Sequence, residues 1–101
     1  MAKKSRIERN NRVQRTIDKY AKLRANLKKI VEDKNESSDE RFRAMWKLSE
    51  LPRDSSKTRY RRRCAITGRP RGNHRYFGLS RNVLRELASW GSIPGLLKSS
   101  W

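Results

Sequence analysis

The chain has 101 residues, 34% of them hydrophobic and 37% charged, with 27 Lys and Arg against 10 Asp and Glu and a formal net charge of +17. A chain so polar and unbalanced buries little apolar surface to offset backbone entropy, and its cations repel one another. Partial order alone and full order on a polyanion (RNA, DNA or an anionic membrane) is the expectation.

Membrane fits least. No apolar run approaches the roughly 18 residues that span a bilayer. The N-terminus MAKKSRIERNNR has no apolar signal core, and Glu8 and Asp18 interrupt what would otherwise resemble a transit peptide. It reads as mature protein. A single cysteine makes no internal disulfide, which fits a reducing compartment.

Charge divides the chain in three. Residues 1–30 hold eleven Lys and Arg against two acids, residues 31–51 four against six, and residues 52–101 twelve against two. From about Arg6 to Val31 there is no Pro or Gly. Val13, Ile17, Tyr20, Leu23, Leu27, Ile30 and Val31 recur at the steps of one helix face. Arg12, Arg15, Lys19, Lys22 and Lys29 repeat on another face with almost no acids to pair with, as a solvated stripe or as phosphate contacts.

That helix should stop at Asp33-Lys34-Asn35. Ser37 and Glu40 stand at capping-box spacing and open a second helix, which Pro52 ends. Its apolar side is Phe42, Met45, Trp46, Leu48 and Leu51. These residues either close a helical hairpin or, for Phe42, Met45 and Trp46, meet another protein.

Next, LPRDSSKTRYRRR reads as an extended linker, ordered by its partner. It brings in Arg53, Arg59, Arg61, Arg62 and Arg63. Arginine's planar fork pairs with phosphate bidentately and stacks on bases.

Cys64 calls for a metal test. Thr67 lies three residues on, twelve residues separate it from Ser80, and Val83 follows three further on. This is the spacing of two zinc knuckles, but with one thiol, two hydroxyls and a valine the donors are missing. No zinc or other cofactor is expected. A Cys64–His74 nucleophile pair is conceivable, yet no oxyanion loop or large core supports it, and no enzyme is expected.

Gly68, Gly72 and Gly78 permit turns or close approach to phosphate. Arg69, Arg71, Arg75 and Arg81 would reach phosphates, while His74 and Tyr76 stack on bases and Phe77 fills a small core in place of the metal. Ser80 sits where the cap of a short helix belongs, and Gly91 where it stops. Val83, Leu84, Leu87 and Trp90 should pack that helix. Arg85, Lys98 and Trp101 complete the candidate RNA contacts, the last two in an anchoring tail.

LPRDSS, the RxRC step, TGRPRG, RYFGLSR, the following RE and the terminus IPGLLKSSW resemble the family of the bacterial small-ribosomal-subunit protein numbered fourteen. That family has a short form with a four-cysteine zinc ribbon and a longer, zinc-free form with an added helical part. The length and missing cysteines here are similar to the longer form. The resemblance is strong from Leu51 to Trp101 and one of layout before that.

The expected fold is mainly α. A helical hairpin (1–51) leads through an extended basic linker (52–63) to a small degenerate zinc-ribbon-like module with a short helix and tail (64–101), with little independent core. The resemblance implies a structural constituent of the small subunit that binds its rRNA, supports assembly of the head and helps shape the rRNA near the decoding site. It also implies two neighbours, the small-subunit proteins numbered three and ten. No homo-oligomer is expected. The location is a ribosome, cytoplasmic or organellar. A DNA-binding architectural protein is the alternative, since it would share the charge and its salt dependence.

Overall fold

The computed structural model describes residues 1–99; Trp101, a candidate RNA contact, lies outside them. The described residues are mainly helical. They form α1 (Lys4–Glu32), α2 (Ser38–Glu50), two 3-10 turns (Arg53–Ser55 and Lys57–Arg59), a short hairpin of β1 (Asn73–His74) and β2 (Leu79–Ser80), and α3 (Arg81–Ser89). None of these helices is long and apolar enough to cross a membrane. The contacts divide the chain into a unit of Glu8–Tyr60 and a unit that joins Met1–Ile7 to Arg61 and beyond.

In the Glu8–Tyr60 unit, the apolar positions of α1 follow their spacing except at Leu23: Val13, Ile17 and Leu27 are buried and Tyr20, Ile30 and Val31 half-buried, but Leu23 is 48% exposed. The Asp33 carboxylate accepts the Asn35 amide at 3.0 Å, forming the turn after α1. Ser37 caps α2 by accepting the Glu40 amide at 3.3 Å. The Glu40 carboxyl instead turns to Glu36, and their hydrogen bond, then their mutual repulsion, hold Glu36 above its usual pKa.

The inward side of α2 differs from expectation. Ala44 is the residue that is buried, with Leu48 and Leu51 half-buried on the same face. Phe42, Met45 and Trp46 are 67%, 55% and 62% exposed. The reason is close approach: Leu27 and Ile30 of α1 share a groove with Ala44, whose methyl leaves room for the neighbouring helix. The Arg41 Nε donates to the Val31 carbonyl at 3.2 Å and ties the two helices further. The Trp46 indole finds its partner within α2 itself, donating to Glu50 one turn along at 2.7 Å.

The linker expected to be extended over 52–63 is so only in its last part. After Pro52 the chain turns twice, with the Ser55 and Ser56 amides donating to Pro52 and Arg53, and those of Arg59 and Tyr60 to Ser56 and Lys57. Ser55 is only 1% exposed. Its hydroxyl donates to the Pro52 carbonyl at 2.5 Å and accepts from the Arg24 guanidinium of α1 at 2.9 Å. Serine, aspartate and threonine here break the α-helix, but their competition for backbone groups yields turns and not a straight strand.

In the other unit, β1 and β2 pair antiparallel, Asn73 opposite Ser80 and His74 opposite Leu79. Ser80 then caps α3, its hydroxyl accepting the Val83 amide at 3.5 Å. Gly91, at φ +69, closes α3: its amide donates to Ala88 and that of Ser92 to Leu87, the paired bonds of a Schellman end. Val83 is buried and Leu84 and Leu87 half-buried, whereas Trp90 is 74% exposed and does not pack as expected. The tail is similarly open, with Leu97 90% exposed, though Lys98 Nζ donates to Ser89 at 2.6 Å.

Candidate nucleic-acid interface

The loop from Cys64 to Gly72 is closed by backbone bonds. The Gly68 amide donates to the Cys64 carbonyl at 2.9 Å, and the Cys64 amide to Arg69 at 3.0 Å. Side chains staple the outside. Arg63 donates to the Gly68 carbonyl and Arg61 to Pro70, both at 2.9 Å. The Asn73 amide group reaches the Arg62 and Arg69 carbonyls at 3.1 and 2.7 Å. Arg61 and Arg63 therefore spend part of their donor set on the fold, and Asn73 holds the base of the loop.

Inside the loop, Cys64 is 3% exposed and unpaired in any disulfide. Burial pushes its thiol pKa up, but the Thr67 hydroxyl and the backbone amides of Thr67, Ser80 and Ile66 outweigh it and bring the thiol down to about 6. The Thr67 hydroxyl is buried with no partner otherwise, so ionising the sulfur gives it an acceptor. Cys64, Thr67 and Ser80, three of the four positions at knuckle spacing, thus meet around the sulfur. Ser80, 1% exposed, links the fourth, Val83, through the cap. The described residues hold no cluster of three or more His, Cys, Asp and Glu suited to a metal.

The hairpin presents the aromatic and basic side chains outward. Tyr76 is 92% exposed and Phe77 half-buried, their rings edge to face with centroids 5.0 Å apart. His74 and Arg75, just before them in the chain, are exposed, as are Arg62, Arg71, Arg81 and Arg85 on this unit. Arg69 is half-buried.

In the Glu8–Tyr60 unit, Arg12, Arg15, Lys19 and Lys22 are all exposed, within roughly an 80° arc of α1 at 100° per residue. Lys19 also lies over the Tyr20 ring at 5.4 Å. Arg53 is exposed, and Arg59 pairs with Asp54 at 3.3 Å, an exposed bridge that contributes little to stability.

The first residues belong with this loop, which the sequence did not signal. The Ala2 amide donates to the Thr67 carbonyl at 3.1 Å, and Ile7 lies against Gly68. Lys3, Lys4 and Arg6 therefore join the cations of the loop unit. Ile7 falls outside the apolar series that begins at Val13, so its periodicity carried no hint of a docking partner.

Fold and site together define a class: a small, polycationic, mainly helical protein with an arginine-rich loop closed around a single buried thiol. The family model described as ribosomal protein S14p/S29e matches residues 47–100. Similarity also runs the whole length of several proteins named small ribosomal subunit protein uS14, covering 100% of both chains in each comparison. Identity is 59% over 102 residues for that of Wolbachia pipientis wMel and 56% over 101 residues for that of Bradyrhizobium sp.. It is 55% over 101 residues for that of Chelativorans sp.. The chain belongs to the S14p/S29e family of ribosomal proteins, which are structural and non-enzymatic, and the resemblance read from LPRDSS, TGRPRG and RYFGLSR is borne out.

Proposed function

We propose that this ribosomal protein binds the rRNA of the small subunit, supports assembly of the subunit head and helps shape the rRNA near the decoding site. The observation that carries the reading is the outward edge of the β1–β2 hairpin. There a bare aromatic ring, Tyr76, follows the exposed Arg75 in the hairpin turn, and Arg71 stands exposed where the chain enters the hairpin. Cations neutralise phosphates that would otherwise hold an RNA fold apart, and the ring stacks on an unpaired base.

Phe42, Met45 and Trp46 act differently. They form an exposed apolar face on α2, in the one stretch of the sequence where acids outnumber bases, and they meet a neighbouring protein. The small-subunit proteins numbered three and ten are the proposed neighbours.

Binding of naked small-subunit rRNA over a range of salt tests the reading. Arg71→Ala and Arg75→Ala should each weaken binding and make the slope of log K against log salt shallower by about one. Tyr76→Ala should weaken it by roughly 1–3 kcal/mol with the slope kept. Wild-type affinity and slope in all three variants would overturn the assignment.

A further inference from the structure

A groove of about 200 Å³ lies between α1 and the two 3-10 turns, inside the Glu8–Tyr60 unit. Its α1 wall is Ile17, Ala21 and Ala25, one residue every four, so small side chains leave a smooth apolar strip along the helix. Arg24, Lys28 and Lys57 stand over that strip, and no carboxylate lines it. Three cations around a common hollow repel one another unless an anion sits between them.

Arg24 is held in place before any ligand arrives. Its Nη1 donates at 2.9 Å to Ser55, whose own hydroxyl is anchored on the Pro52 carbonyl. A guanidinium fixed at one nitrogen keeps its remaining donors in a set plane, which suits a phosphate and costs little entropy on binding. On the far wall, the Ser56 and Thr58 hydroxyls are bonded to each other at 2.9 Å. One of them retains a lone pair and the other a rotatable proton for a sugar hydroxyl.

We infer that this groove is a seat for one ribose–phosphate unit of the RNA strand. The phosphate lies among Arg24, Lys28 and Lys57, and the carbon face of the ribose lies on Ala21 and Ala25. The low-dielectric strip beneath strengthens the ion contacts relative to an open surface. The inference rests on the reading that the protein binds small-subunit rRNA and adds a site apart from the hairpin edge.

The test uses the full chain and naked small-subunit rRNA over a range of salt. Ala25→Leu fills the strip without changing charge, and its exposed helical position accepts leucine readily. It should lower affinity on the order of ten-fold and make the salt slope shallower by about one, as Lys57→Ala should. Circular dichroism checks that both variants keep their helices. Wild-type binding in both variants while Arg75→Ala still weakens it would overturn the seat and leave the rRNA reading standing. No binding by the wild-type protein would overturn both. Wild-type rRNA affinity in Ala25→Leu, with the variant lost from assembled subunits, would give the groove to a protein neighbour and overturn the RNA seat.

Discussion

Gly68→Ala separates two costs that one glycine avoids. The residue sits at φ +71, where an L side chain meets its own carbonyl at roughly 1–2 kcal/mol. An added Cβ would also lie 2.7 Å from Ile7 Cδ1, 2.9 Å from Ile7 Cγ1 and 3.1 Å from Ala2 Cβ. Overpacking of this kind costs about 1–3 kcal/mol. The low end applies here, because Ile7 Cδ1 is a chain end that can rotate away.

The single variant should therefore lose about 2–3 kcal/mol in urea unfolding, through a lower midpoint at unchanged slope. Placed on Ile7→Ala, the same change should cost only its backbone part of roughly 1–2 kcal/mol. The difference is a coupling of about 1 kcal/mol, above the scatter of independent sites. Additive costs within about 0.5 kcal/mol would refute the docking of the N-terminal segment on the loop. An unchanged single variant would refute the geometry of the turn itself.

Ser55→Ala should destabilise the protein by about 1–3 kcal/mol in the same assay, since it strips Arg24 of its acceptor in a buried place. A loss below 0.5 kcal/mol, the ordinary scatter of surface changes, would contradict that bonding. Cys64 supplies a pH dependence. Its folded pKa of about 6 lies below the ordinary thiol value, so the stabilisation is fully present above the unfolded pKa and lost as pH falls through 6. Stability should rise from pH 6 to 9 and the rise should vanish in Cys64→Ala; identical pH profiles would contradict it. Trp46→Ala should leave the free protein's stability within about 0.5 kcal/mol, because the ring is exposed, yet reduce cross-linking to neighbouring proteins in the subunit. Unchanged cross-linking would remove α2 from the protein interface.

The helices were legible because their signals are local. Apolar spacing set α1, Ser37 and Ser80 announced their caps, and Gly91 announced the Schellman end. The spacing of Cys64, Thr67 and Ser80 also proved informative, since the chain brings all three together around one sulfur. What stayed hidden depends on partners distant in sequence. Ser55 looks like any linker serine until Arg24, 31 residues away, comes beside it. Ala44 buries in place of the larger Phe42, Met45 and Trp46 because a helix passes close by, which composition alone does not encode. Arginine-rich runs read as uniform charge, while the structure divides them: Arg61 and Arg63 bind carbonyls of the loop, and Arg71 and Arg75 stand in solvent.

The most direct test of the account is sedimentation of the tagged protein from lysate on sucrose gradients, at moderate and then high salt. Base stacking and protein contacts added to phosphate pairing within a folded subunit predict stoichiometric retention in the small-subunit peak at both salt concentrations, with release on ribonuclease treatment. Movement to the top of the gradient at high salt, or migration with DNA after ribonuclease, would contradict it and leave charge alone as the cause of association.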